Sequence, residues 1–420
     1  MTKTIKLDHL TKIEGHASLT VKIRNGKVER CDLGSTEGSR YFEGIVRGRQ
    51  FHEAPELTSR ICGICSCAHT LASAFAMENA LHVQVSEQTM TLRKLLNWGE
   101  RIRSHATHLY FLSLPDFLGY ESALAMLPKY KKEITTALQI MKIGNQLVSV
   151  VGGRDLHPVS AQIGGFLTLP KQEQLDDLTA QLKACRPLAQ KTVSLFASLR
   201  YPRFERELAN FSVYHEKEYA MLTGVIRTGK KDYPIRKYHD YLKEYHERDS
   251  TANFVVKAGK EYRVGALARV NTSKDLLAPA AKRAAATWFP SQNPFHTNYA
   301  QAVELLHAIE TCISILETLE LKPEPPRRAD LKSGHGIAAI EAPRGTLWHE
   351  YLVKDRKIVY CNIITPTAQN LRSMQEDIRA FLPRILTQSQ QEIIDSIEKL
   401  IRAYDPCFSC SSHFLDVTWV

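Results

Sequence analysis

The sequence predicts a mainly helical α+β fold, a central helical bundle with small antiparallel sheets packed at its sides. Three observations carry this reading. The first 60 residues read as strands with turns, several later stretches keep helical periodicity, and strand-like segments interrupt the helices without alternating with them. In chain order, SLTVKI and KVERCDL flank Asn25-Gly26, a strong hairpin signal because both residues tolerate positive φ. Ser86, followed by Glu87, is the expected N-cap of a helix carrying Leu92, Leu95, Leu96, Ile102, Ala106 and Leu109, with Pro115 expected to close it. Further helical patterns cover residues 130–150, 170–198 and 298–320. A charged, tyrosine-rich stretch over 204–275 contains a second expected hairpin, NFVVKAGKEYRVGALARV, turning at Ala258-Gly259. The Pro-rich joint KPEPPRR (Lys322–Arg328) precedes a strand-like region ending near Ile364. A helix pair interrupted by Pro383 follows, with Ile393, Ile394, Ile397, Leu400 and Ile401 on one stripe. We divide the chain into 1–60 (β-rich), 61–203 (helical core), 204–297 (charged, with a hairpin) and 298–420, as regions of one unit.

The chain has 420 residues, 44% hydrophobic and 24% charged, which excludes collagen-like, disordered and disulfide-scaffold classes. The most apolar stretch, Leu138–Val151, is broken by Lys142, Asn145 and Gln146, so no membrane span is expected. MTKTIKLDHL has no apolar segment and no twin arginine, so a cytoplasmic chain without an export signal of its own is expected. The net charge of +10, from 55 basic and 45 acidic residues, fits a solvated surface or docking to an acidic partner protein. Around the basic stretch Arg227–Lys243 there is no nucleic-acid-binding signature, and no nucleic acid is expected as a partner.

Nine cysteines are too few for a disulfide framework. Cys31, Cys185, Cys312 and Cys361 sit among apolar neighbours and read as inert buried thiols. Cys67 breaks the spacing of its neighbours and reads as no ligand. The remaining four form two C-x-x-C pairs, Cys62/Cys65 in RICGICSCAHT and Cys407/Cys410 in DPCFSCSSH. Two such turns brought together make an S4 cage for a soft metal. A structural zinc site, a redox-active metal and a redox disulfide all remain open on spacing alone. Pairs at opposite ends of the chain suit a central site better than a local zinc staple.

These two strings resemble the nickel-binding signatures of the large subunit of nickel–iron hydrogenases, and the resemblance runs from Glu14 to His413. It implies Cys62 and Cys407 as terminal nickel ligands, with Cys65 and Cys410 also bridging to an iron that carries one carbonyl and two cyanides. Glu14 in KIEGH, by itself a solvated strand-end carboxylate, becomes the acceptor of a proton from the Cys407 thiol. Glu43, the backbone carbonyl of Ile363 and the imidazole of His413 become magnesium ligands. Arg344 in APRGTLWH is expected over the open metal position, and Thr365, Pro366 and Thr367 around one cyanide, with Thr365 standing where an apolar residue is frequent. His69 and Asp405 are expected to orient the cysteines and Arg344. GGRDLHP (Gly152–Pro158) resembles a structural motif and receives no chemistry.

The implied reaction is reversible heterolysis of dihydrogen, with hydride accepted by the metals and the proton by a cysteine thiolate. Electrons then require an iron–sulfur small subunit, because no further cysteine cluster has the spacing for one. The resemblance is greatest to the soluble cytoplasmic subgroup, whose complexes add diaphorase-type subunits that pass electrons to NAD(P) or a similar acceptor. Seven residues, FLDVTWV, follow His413. In the family an endopeptidase cuts after this histidine, here before Phe414, so an unprocessed precursor is expected. A nickel chaperone and an iron-centre scaffold join the endopeptidase as expected partners. The readings set against this are a hydrogen sensor, a non-catalytic relative, which the four cysteines oppose, and a zinc protein.

Overall fold

The computed structural model describes residues 2–38 and 41–412. Strands β1 (Thr2–Leu7), β2 (Ala17–Arg24) and β3 (Lys27–Ser35) form an antiparallel sheet in that order. Its hairpin turns at Asn25 (φ 51°) and Gly26 (φ 76°), as their tolerance of positive φ predicts. Leu19, Val21 and Ile23 alternate into the core. The expected β-rich character stops at Ser35. Residues beyond it form α1 (Phe42–Val46), a 3-10 turn at Phe51–Glu53 and α2 (Ala54–Ser59). A reciprocal Gln50–Glu53 capping box and Pro55 at the start of α2 explain that switch.

The bundle contains α3 (Ser66–Leu81), α4 (Glu87–Thr107), α6 (Ala123–Gly152), α7 (Gln172–Ala197) and α10 (Thr297–Leu316). Ser86 caps α4 by accepting from Thr89 N at 3.0 Å. Pro115 does not close this helix. The chain continues through a π-helical turn, His108–Ser113, into α5 (Leu114–Leu118), where Pro115 occupies the first turn and its missing N–H costs nothing. Between α6 and α7 lies the short ladder of β4 (Ala161–Gln162) and β5 (Gly165–Phe166).

The charged middle holds β6 (Ser212–Tyr214), β7 (Val225–Thr228) and β8 (Lys231–Tyr233) in one sheet, then β9 (Leu242–His246) and β10 (Asn253–Lys257) in another. The expected hairpin at Ala258-Gly259 is half right. Its turn forms, but β10 pairs backwards with β9. The following residues are engaged elsewhere: Arg263 exchanges backbone bonds with Ala209 and Phe211, and Val264 N donates to Asn370 Oδ1. GALARV is then helical, in α8 (Ala266–Ser273), followed by α9 (Pro279–Ala285).

Three long antiparallel strands, β11 (Gly334–Ala342), β12 (Gly345–Lys354) and β13 (Lys357–Ile364), lie against α3. The helix comes so close that a Cβ on Gly336 would stand 2.0 Å from Ala76 O. Only glycine fits there. The chain ends in α11 (Pro366–Phe381), a turn through Pro383, α12 (Gln390–Ala403) and α13 (Phe408–Ser411). On α12, Ile393, Ile397, Leu400 and Ile401 are buried as the stripe predicts, while Ile394, also placed on it, is only partly buried. No helix among the described residues is long and apolar enough to cross a membrane.

Two bundle histidines give the fold a pH dependence. Burial pulls His105 and His307 down from 6.5 to about 4, although Glu304 favours their charged forms. Between about pH 4 and 6.5 the unfolded chain therefore binds protons that the native chain refuses. Stability rises with pH across this window, by up to about 1.4 kcal/mol per pH unit for each histidine, and is lost on acidification. Urea unfolding at intervals from pH 7 to pH 5 measures this slope, and a flat profile would contradict it.

Candidate metal centre

Cys62 lies in the turn after α2, and Cys65 stands at the cap position of α3. Cys407 precedes α13, and Cys410 lies within it. All four are buried, and their sulfurs lie within 4.8 Å of one another, the one such group of metal-ligating atoms among the described residues. The first cysteines of the pairs face each other, with Sγ atoms of Cys62 and Cys407 3.7 Å apart, and so do the second, Cys65 and Cys410, at 3.6 Å. Four sulfurs at 2.3 Å around one ion stand about 3.8 Å apart, so the donor set fits a soft metal. In this structure Cys407 and Cys410 are joined as a disulfide, which must be reduced before both can serve as thiolate ligands. Bonds from the thiol and amide of Cys65 hold the Cys62 thiol below its ordinary range. Cys65 is pushed up by that same interaction and by burial.

The two chain ends are tied together beside this cluster. Glu14 and Cys407 form a backbone bridge, with Phe408 N donating to Glu14 O at 2.9 Å. This places Glu14 Oε2 2.8 Å from Cys407 Sγ, a bond the sulfur donates once the disulfide is opened. The amide and hydroxyl of Ser409 also donate to the Glu14 carboxylate. Arg402, on α12, bonds Thr11 O at 2.8 Å and Asp116 at 2.9 Å, which clamps the N-terminal segment to the C-terminal helices.

Arg344 lines a small cavity of about 10 Å³ that also touches Cys65, Cys407 and Cys410. Its Nε donates to Asp405 O (2.9 Å) and Oδ1 (3.1 Å), while Nη1 has no partner among the described residues. Burial opposes its charge, but Asp405 and the cysteines outweigh that and hold the guanidinium protonated. Asp405 is in turn held by Gln301, and Gln301 by His108. Pro366 and Thr367 wall the cavity, and Thr367 Oγ1 accepts from Cys407 N at 2.8 Å. The Thr365 hydroxyl is engaged with Ser411 at 2.6 Å. His69 also lines the cavity and bonds His349 at 3.1 Å, which continues to Tyr351 and Ser73.

Glu43 is 8% exposed on α1, which packs on the strand that carries Ile363. His413 and Phe414 lie outside the described residues. Cys31, Cys185, Cys312 and Cys361 are buried away from the cluster, as expected. Cys67 is buried but not among the clustered sulfurs.

Several residues that position the site gave no sequence signal. Buried Glu100 accepts from the amides of Cys67 (2.6 Å) and Ala68 (3.2 Å) at the start of α3. Arg103 holds Ile64 O between the first two cysteines at 2.9 Å, and also binds Asp155 O. The GGRDLHP loop thus braces the cysteine turn, with His157 bonded to Ser59 O and Ser66 Oγ. Arg269 lies beneath Arg344, donating to Ala342 O (3.1 Å) and Pro343 O (2.9 Å) while paired with Glu304 and Glu341. Glu100 and Arg103 were lone charges within a helical pattern, and Arg269 lay at the end of the expected hairpin.

The nickel-dependent hydrogenase model matches residues 40–142 and 212–413, which include all four cysteines. The chain belongs to this family. It is 36% identical to sulfhydrogenase 1 subunit alpha of Pyrococcus furiosus, over 97% of each chain. To the NAD-reducing hydrogenase HoxS subunit beta of Cupriavidus necator it is 28% identical, over 99% of this chain and 96% of the relative. A solved NAD+-reducing [NiFe]-hydrogenase superposes with a TM-score of 0.91 at 26% identity, covering 98% of this chain and 99% of that one. The Ni-Fe-Se hydrogenase of D. vulgaris Hildenborough shares the fold, with a TM-score of 0.80 at 24% identity over 98% and 100% of the two chains. The chain is therefore a hydrogenase large subunit, an oxidoreductase acting on dihydrogen, and the family implies nickel and iron.

Arg269→Met removes one partner of a buried charge network under the Arg344 turn. The expected cost is about 3–5 kcal/mol, read by chemical denaturation. A loss below about 1 kcal/mol would show that the turn stands without it.

Proposed function

We propose that this chain activates dihydrogen at a nickel–iron pair held by its two C-x-x-C turns. Electrons leave to an iron–sulfur small subunit and then, through diaphorase-type subunits, reach NAD(P) or a similar acceptor in the cytoplasm. The observation that carries this reading is the buried cluster of four cysteine sulfurs with Glu14 Oε2 2.8 Å from Cys407 Sγ. The likeness to an NAD+-reducing enzyme supports the choice of acceptor. Among the described residues no second group of cysteines lies together to hold an iron–sulfur cluster, which supports electron exit through a separate small subunit.

Cys62 and Cys407 would hold nickel, while Cys65 and Cys410 would also hold iron. Pro366 and Thr367 would stand beside the iron and its carbonyl and two cyanides. When bound, the metal pair supplies the Lewis acidity that lets dihydrogen, a very weak acid, be split. The chain's own part is proton handling. The Cys407 sulfur holds the proton, and Glu14 Oε2 takes it across 2.8 Å. Ser409, donating through its amide and hydroxyl, orients that carboxylate. Arg344, fixed by Asp405, would present Nη1 as a donor at the cavity it lines. His69 steadies the cavity wall through His349.

Glu43 and the carbonyl of Ile363 would hold magnesium together with His413. Near Glu43 lies a second carboxylate, Glu244, pushed up by burial and by the Glu43 charge, so a cation would relieve both. The segment Phe414–Val420 would be removed by an endopeptidase after a nickel chaperone and an iron-centre scaffold have loaded the site. An unchanged intact mass in protein with full nickel would count against that step.

Elemental analysis of the purified complex should give near-equal nickel and iron, and stoichiometric zinc without iron would sink the reading. Glu14→Gln should lower dye-coupled hydrogen oxidation by about 100-fold or more at unchanged metal content. Turnover at the unmodified rate would remove Glu14 from the proton route.

A further inference from the structure

Away from the cysteines, two imidazoles, one from the neighbouring strand and one from more than a hundred residues upstream, meet on one carboxylate. Glu350 lies on β12 opposite Ile337 of β11, so His335, two residues before Ile337, shares its face of the sheet. His335 Nε2 reaches Glu350 Oε1 at 2.6 Å. His239, from the 3-10 turn Ile235–Asp240 packed on β11, reaches Oε2 at 2.9 Å and Oε1 at 3.1 Å. Tyr238 OH also donates to Oε2, at 2.6 Å, and is itself held by Asn362. The carboxylate is 4% exposed and fixed, whereas the two imidazoles are 51% and 54% exposed and open to water.

We propose that His239, His335 and Glu350 form a second metal site, for a divalent cation of borderline softness such as Zn2+ or Co2+. Two imidazoles and one carboxylate with an open side are a donor set suited to these ions, and water completes the shell. Nitrogen and oxygen ligands at 2.0–2.1 Å from a tetrahedral ion stand about 3.3 Å apart, a few tenths of an ångström beyond the contacts seen here. The two ring nitrogens are not yet within 4.8 Å of each other and of the carboxylate as a set. A bound ion would require both half-exposed rings to rotate about the fixed carboxylate and bring their nitrogens more than an ångström closer together. Each ring then carries its proton on Nδ1, and the ion replaces the N–H···O bonds. Arg236, which lines the shallow cleft beside His335, is a cation that weakens the site without occupying it. Glu244, bonded to Asn362 behind Tyr238, adds negative charge on the other side. A bound ion would pin the turn Ile235–Asp240 to the β11–β12 sheet. The proposal is independent of the hydrogen chemistry.

The test is titration of the purified metal-loaded complex with Co2+ and with Zn2+, followed by calorimetry and elemental analysis. One equivalent beyond the metals at the cysteines is expected, with cobalt d–d bands and no thiolate-to-cobalt charge transfer. His239→Asn and His335→Asn, which keep a polar side chain, should each weaken that equivalent at least tenfold and leave hydrogen turnover unchanged. In the unsubstituted protein, Zn2+ should also protect both imidazoles from diethyl pyrocarbonate. No additional equivalent, affinity unchanged in both variants, a thiolate band on the added cobalt, or unprotected imidazoles would overturn the proposal.

Discussion

Glu304 is a fully buried carboxylate with no access to water, so its charge survives only while its partners stay in place. Burial pushes its pKa up, but Arg269 and Arg101 outweigh that and hold it well below the carboxylate range. Arg269 binds both of its oxygens, and Arg101, His105 and Tyr219 complete the set. These partners come from α4, α8 and the loop before β7, and Glu304 itself from α10. None of these elements can move away without leaving a charge stranded in a low dielectric, which is far more costly than losing an exposed pair. Through Arg269 the constraint reaches Glu341, Ala342 and Pro343, and so fixes the backbone immediately before Arg344.

The cysteine cluster depends on a second constraint, the meeting of the chain ends. A loop of this length adds little to the closure cost over one half as long, about 0.6 kcal/mol per doubling, so local bonds at the junction suffice to set the geometry. Here they are the Glu14–Cys407 bridge, the Arg402 clamp on Thr11 and Asp116, and the Ser35–Ser412 hydroxyl pair at 2.7 Å. The same bridge that joins the ends also brings the Glu14 carboxylate to the Cys407 sulfur. The contact that closes the architecture also sets the carboxylate beside the sulfur.

Legibility in the sequence followed the range of the interaction. The Asn25-Gly26 turn, the Ser86 cap and the α12 stripe are local, and the structure keeps them. The cysteine pairs were legible because metal-ligand spacing is also local, and Glu14, Arg344 and Asp405 followed from a resemblance. Pro115 was misread because a first-turn proline and a terminating one look alike without knowledge of the π-helical turn before it. The Ala258-Gly259 hairpin failed because Arg263 and Val264 bond to residues more than 50 positions away. Glu100, Arg103 and Arg269 drew no attention in the sequence, since nothing local distinguishes a buried charge from an exposed one.

The separation of Cys62 from Cys407 by 345 residues also carries a meaning in time. At about 5–20 residues per second of synthesis, the first pair leaves the ribosome roughly 17–70 s before the second exists. Throughout that interval Cys62 and Cys65 are a bare dithiol, open to adventitious zinc or copper and to oxidants. The first turn must be protected by its surroundings or kept reduced by the cell while it waits. The four-sulfur set can therefore form only after Cys407 and Cys410 have been translated.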